Sequence, residues 1–187
     1  MKIINLLIAT SYFSLLALSL PSYAANSGGV QFSPPSIKGS GCSGSSNYRL
    51  TPNHKTLSIS FKKFVASPSN KTCSITIPIN VPSGFKISVL TADYRGFVKG
   101  EGELKRSYRA SGSSGGAKNN RFKKTGGDDY YVNDNLLGMN KKLSQCGKSI
   151  TLKINARIKA SGSGSRISVD SDDSSSGAIF HLQYKPC

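Results

Sequence analysis

Residues 150–159 read ITLKINARIK. Ile150, Leu152, Ile154, Ala156 and Ile158 alternate with Thr151, Lys153, Asn155, Arg157 and Lys159. A period of two residues is that of a half-buried β-strand, because successive side chains leave opposite faces of the backbone. This strand has one apolar face and one basic face. Upstream, Cys73, Ile75, Ile77, Ile79 and Val81 share one parity in KTCSITIPINV at 71–81. Pro78 falls on the other parity and cannot donate to a ladder, so it marks an edge strand or a bulge. Leu57, Ile59 and Phe61 alternate with polar residues until the phase slips at Lys62-Lys63-Phe64. Phe180, Leu182 and Tyr184 form a terminal strand.

The turn residues Pro82-Ser83-Gly84 precede Phe85, Ile87 and Val89, and predict a β-hairpin over 73–92. Shorter alternations predict strands near 103–110 and 121–132, and 134–143 suit one short helical turn. Residues 111–127 and 161–177 are Ser, Gly and charge with few anchors, and read as surface loops. Many short strands without a long helix predict an all-β fold: an antiparallel β-sandwich, jelly-roll-like, with long Ser/Gly-rich loops.

Of 187 residues, 37% are hydrophobic and 16 are Phe or Tyr, enough for one core. The first 24 are set apart. Lys2 precedes an apolar stretch over 6–20, and Ser22-Tyr23-Ala24 has the small residues of a cleavage site, the order of a secretory signal peptide. The apolar run is short of a bilayer span and no other stretch could cross one. The predicted organisation is a signal peptide over 1–24, an extended lead-in over 25–37 and one domain over 38–187. The domain is expected to be secreted, or periplasmic in a Gram-negative source, with no transmembrane segment.

Export makes the even set Cys42, Cys73, Cys146 and Cys187 a disulfide framework. Of three pairings, Cys42–Cys73 with Cys146–Cys187 is favoured, since each ties neighbouring strands and neither crosses the other. Loops of about 30 to 40 residues stabilise by roughly 3–4 kcal/mol each in the chain-entropy account. No Cys-x-x-Cys spacing exists, so neither zinc nor any other cofactor is expected.

With 25 Lys and Arg against 9 Asp and Glu, the net charge is +16, and loss of Lys2 with the leader lowers it by one. Lys153, Arg157 and Lys159 share a strand face. With Lys105, Arg106 and Tyr108 they form a candidate basic and aromatic face, near Tyr94, Phe122, Tyr130 and Tyr131. Such a face suits an anionic polysaccharide, lipid head groups or extracellular nucleic acid. The plainer alternative is charge that serves solubility and loose adhesion.

Catalytic motifs are missing: no G-x-S-x-G elbow, no phosphate loop and no dinucleotide fingerprint. Asp170, Asp172 and Asp173 start like a calcium loop, but Ser175 stands where Gly is needed and His181 where a bidentate Glu is needed. Glu101 and Glu103 share one strand face, the raw material of glycoside hydrolysis, and Asp93 adjoins Tyr94, Arg95 and Gly96. A carboxylate-dependent hydrolase using Asp93, Glu101, Asp170 and Asp172 stands as the alternative. A disulfide-stapled protein-interaction factor is the third reading. Asn70-Lys71-Thr72 is a glycosylation sequon if the source is eukaryotic.

GSGC at 39–42, LSISF at 57–61, KTCSITIPINVPSGFKISV at 71–89 and ADYRGF at 92–97 begin a pattern. It continues with KRSYRASG at 105–112, QCGKSITLKINARI at 145–158, VDSDD at 169–173 and FHLQYKPC at 180–187. In order, these resemble the domain of unknown function 4360 family of small secreted four-cysteine proteins, over about residues 38–187. The family pattern has Pro after the first Cys and before the third, and Trp in the last strand. Here those positions are Ser43, Gln145 and Tyr184. The resemblance implies secretion and β-structure and brings no established activity.

Overall fold

The structure, a computed structural model, describes residues 29–111, 115–139, 141–169 and 177–187. The expected leader over 1–24 and the acidic cluster Asp170, Asp172 and Asp173 lie outside the described residues. Among the described residues there are ten strands: β1 (Gln31–Phe32), β2 (Ser36–Lys38), β3 (Ser46–Leu50), β4 (Thr56–Phe61), β5 (Val65–Ala66), β6 (Asn70–Asn80), β7 (Phe85–Arg109), β8 (Ala117–Asn135), β9 (Ile150–Ser168) and β10 (Ala178–Pro186). A single helical turn, α1 (Leu136–Met139), and a 3-10 turn (Lys141–Ser144) follow β8. Every pairing is antiparallel.

β7 is the spine. β8 runs along one of its edges, while the other edge is divided between β10, opposite Phe85 to Tyr94, and β9, opposite Val98 to Arg109. β6 joins β9, with β1 and β2 beyond it, and β4 and β3 extend β10. The two limbs fold onto each other. Asp134 opposes Ala92, fourteen residues before Arg106 on β7, a separation of about 46 Å along a straight strand. Yet Arg106 Nε lies 2.8 Å from Asp134 Oδ2. The β7–β8 ribbon must therefore turn back on itself, and its register breaks between Val98 and Gly100. Gly100 has φ +70°, and a Cβ on Gly96 would stand 2.0 Å from the Ser168 carbonyl oxygen. Only glycine lets the strands approach and curve in this way. At the open side, Phe32 N–H donates to His54 O at 3.0 Å, bringing β1 to the β3–β4 turn. The product is one sheet curled into two layers, close to a barrel.

Between the layers lies one core, with Ile75, Ile77 and Ile154 from one limb and Leu57, Ile59 and Phe180 from the other, all fully buried. The expected lead-in adds Val30 and Phe32 to it. The disulfides join Cys42 to Cys73 and Cys146 to Cys187, across 31 and 41 residues of chain. The first holds the segment after β2 against β6, and the second ties the chain end to the segment before β9.

Three expectations change. No hairpin forms over 73–92, because β6 pairs with β9 and not with β7. Both edges of β6 are taken, so the Pro82-Ser83-Gly84 turn carries the chain to the other limb. Pro78 does not make β6 a plain edge strand either. It falls between the residues paired with β1 and those paired with β2, and its carbonyl accepts from Ser33 N–H at 2.9 Å on that side. Its missing N–H thus faces the gap. Finally, most of 111–127 and 161–168 is strand and not loop.

Candidate functional site

Cross-strand register builds the outward face of the β6–β9–β7–β8 limb. Thr72, Arg157, Lys105 and Asn119 form one row. Ser74, Asn155 and Ser107 form the next, followed by Thr76, Lys153 and Arg109. Arg157 opposes Lys105, and Lys153 opposes Arg109. Like charges directly opposite each other destabilise a sheet, so two such pairs on one face are costly to the fold alone.

One row away the chain does the reverse. Lys159 opposes Glu103, Glu103 lies 3.7 Å from Arg121, and Glu101 lies 3.4 Å from Lys123. Compensation is therefore available on this sheet and is withheld from Lys105, Arg157, Arg109 and Lys153. Among the described residues none of these four is in a salt bridge. Lys38, Thr72, Lys105, Ser107, Asn155 and Arg157 line a depression of about 390 Å³ over the Cys73–Ala156 pair. Three bases from β2, β7 and β9 thus ring a shallow bowl of hydroxyl and amide groups.

Lys153, Arg157, Lys159 and Lys105 occupy this face as placed from the sequence, whereas Arg106 and Tyr108 do not. They share the parity of Leu104 and point into the interior, Arg106 only 1% exposed and Tyr108 3%. There Arg106 Nη2 donates to Asp134 Oδ1 at 3.0 Å and to Asn120 Oδ1 at 2.8 Å, and Nη1 donates to Leu104 O. Tyr108 OH donates to Asp134 and lies 3.2 Å from Tyr94 OH. Burial works to lower the Arg106 pKa, but the hydrogen bond and charge of Asp134 outweigh it and hold it above its ordinary value. Burial pushes up the phenols of Tyr94, Tyr108 and Tyr130. Extending the strand parity from Leu104 finds both inward residues. Register supplies Arg109 and the fold supplies Lys38, which no local pattern linked to the face.

Among the described residues, Asp93 does not converge with Glu101 and Glu103. Glu101 and Glu103 line a cleft of about 380 Å³ with Phe122 and Ser161, each held by a β8 base. Asp93 lies on the other limb, where Tyr131 OH and Asn133 Nδ2 donate to its Oδ1 and His181 Nε2 stands 3.2 Å from its Oδ2. Asp170 and Asp172 lie outside the described residues. No three His, Cys, Asp or Glu among the described residues are placed to hold a metal ion, and no described helix is long and apolar enough to cross a membrane.

The chain belongs to the family described as domain of unknown function (DUF4360), whose model matches residues 29–187. It is similar to an uncharacterized secreted protein of Arthroderma benhamiae, 27% identical over 167 residues, 80% of this chain and 68% of that one. Two solved structures show remote likeness. TmCBM61 in complex with beta-1,4-galactotriose has a TM-score of 0.31 and 12% identity, over 84% of this chain and 91% of that one. The enzymatically active domain of tailspike protein 4 of bacteriophage CBA120 has a TM-score of 0.23 and 9% identity, over 84% of this chain and 19% of that one. Neither likeness is strong enough to bear on function.

Proposed function

We propose that the protein is an exported, non-catalytic binding protein that holds a polyanionic polysaccharide on the outward face of the β6–β9–β7 limb. Export is supported by the similarity to a secreted protein and by the leader expected over 1–24, and it suits two disulfides. The reading rests on the uncompensated pairs Lys105/Arg157 and Arg109/Lys153, whose mutual repulsion a bound polyanion relieves. A polysaccharide fits better than single-stranded nucleic acid, which needs aromatic platforms. Among the described residues the exposed large hydrophobics are Tyr48 and Tyr131, and neither belongs to this face. Between the bases lie Thr72, Ser74, Ser107 and Asn155, partners for sugar hydroxyls. A lipid surface would be gripped by charge alone.

Binding to heparin, as a sulfated test polymer, is expected to depend steeply on salt. Four charge contacts imply about a 50-fold loss of affinity between roughly 50 and 200 mM NaCl, taking the single-strand coefficient as a guide. In the variant Lys105→Glu/Arg157→Glu, which removes two of the four contacts, the slope of log affinity against log salt should fall by about half. Titration calorimetry at several salt concentrations checks both. Salt-independent binding, an unchanged slope, or tighter binding to single-stranded DNA than to heparin would each overturn the reading.

A further inference from the structure

The outward face of the other limb has a different chemistry. Tyr131 on β8 opposes Arg95 on β7, and Asn133 opposes Asp93. On the far side of β7, His181 opposes Thr91, and Gln183 opposes Val89. Tyr131 is 56% exposed, the most exposed large hydrophobic side chain among the described residues. It is nonetheless fixed. Its hydroxyl donates to Asp93 Oδ1 at 2.9 Å, and the Arg95 guanidinium lies 5.6 Å from its ring centroid. Asp93 is itself buried and also engages Asn133 and His181. A ring held at its hydroxyl end, with Arg95 over one face, keeps its remaining surface open to solvent with little rotamer entropy left to lose on binding.

From this arrangement we infer that Tyr131, Arg95, Asn133 and His181 form a second binding site, which takes an uncharged sugar ring. A pyranose presents an apolar C–H face rimmed by hydroxyls. The Tyr131 ring matches the face, and the Arg95 guanidinium, Asn133 amide and half-exposed His181 imidazole match the rim. An uncharged ligand fits because the carboxylate of Asp93 is already spent on its own neighbours. Arg95 is the cation that stands over the ring, and exposed Arg49 on β3 lies three strands away, in the row that runs through Ser58 and Ile179 to Asp93. Thr91 and Gln183 continue the neutral, hydrogen-bonding surface. The site shares no residue with the basic face, so one molecule can hold a charged and an uncharged glycan at once.

Two-dimensional NMR of the full mature chain, titrated separately with cellotriose, maltotriose and chitotriose, tests this directly. At least one sugar should shift the amide peaks of Arg95, Tyr131, Asn133 and His181 in a saturable way. In Tyr131→Ala its affinity should fall about tenfold, using a base stacked on an aromatic ring as guide. Tyr131→Phe keeps the ring and should keep most of the binding. Lys105→Glu/Arg157→Glu should leave this binding unchanged, which separates the site from the basic face. The inference fails if none of the three sugars shifts those peaks, or if a natively dispersed Tyr131→Ala binds as tightly as the parent.

Discussion

Arg106→Ala should destabilise the protein by about 3–5 kcal/mol, the cost of removing one partner from a buried ion pair. The substitution leaves the Asp134 carboxylate, 3% exposed, without its counter-charge. Asn120 loses its donor, and the guanidinium over the Tyr94 ring at 5.3 Å disappears. Tyr108 OH remains on Asp134, so the carboxylate keeps one hydrogen bond and no cation. The position matters as much as the chemistry. This pair spans the inside of the bent β7–β8 ribbon, and its loss releases the two limbs together. A double change, Arg106→Met/Asp134→Leu, removes both charges and should cost much less than Arg106→Ala, since apolar replacements of a buried pair are often near neutral. Urea unfolding of both variants measures this. A loss below about 1 kcal/mol for Arg106→Ala would mean that the guanidinium is hydrated and the pair is no clamp.

How much of this could be read from the chain depended on what a linear pattern records. ITLKINARIK showed its two faces because alternation is local, and the cysteines paired as their order suggested. Arg106 and Tyr108 look outward when grouped with the charges around them, and inward when placed by the parity of Leu104. The start of β8 reads as loop and its strand is legible only near 121–132, because only Tyr130 and Asp134 along it are buried and its alternation has almost no apolar half. The like-charge pairs exist only through register, which joins residues about fifty positions apart. The cluster around Asp93 is equally non-local: its partners lie 38, 40 and 88 positions away, beyond any spacing rule. The absent hairpin has a similar cause. A turn fixes where the chain reverses, but the strand that pairs is chosen by which edges remain free.

The same interior makes alkaline pH the sharpest threat to the fold. Tyr94, Tyr108 and Tyr130 are buried, and their folded pKa values lie above the value of about 10 of an unfolded chain. The sign follows from proton counting: above about pH 10 the unfolded state has released protons that the folded state keeps, so stability falls as pH rises. Below about pH 10 both states hold these protons and the stabilisation is fully present. Above it, three such phenols together remove about 4 kcal/mol per pH unit until the folded protein opens. Denaturant midpoints between about pH 8 and 11.5 should therefore hold steady and then drop steeply. After a rapid jump to about pH 11.5, tyrosinate absorbance should develop in two phases, exposed phenols at once and these three at the unfolding rate. Tyr130→Phe, which gives up only the hydrogen bond to Ser168 O at 2.7 Å, should reduce the alkaline slope by about one third. If all the phenols ionise together near pH 10 while the fold persists, water reaches the space between the layers. The enclosure of Arg106 and Asp134 would then be wrong as well, so one titration tests the protected interior on which the clamp depends.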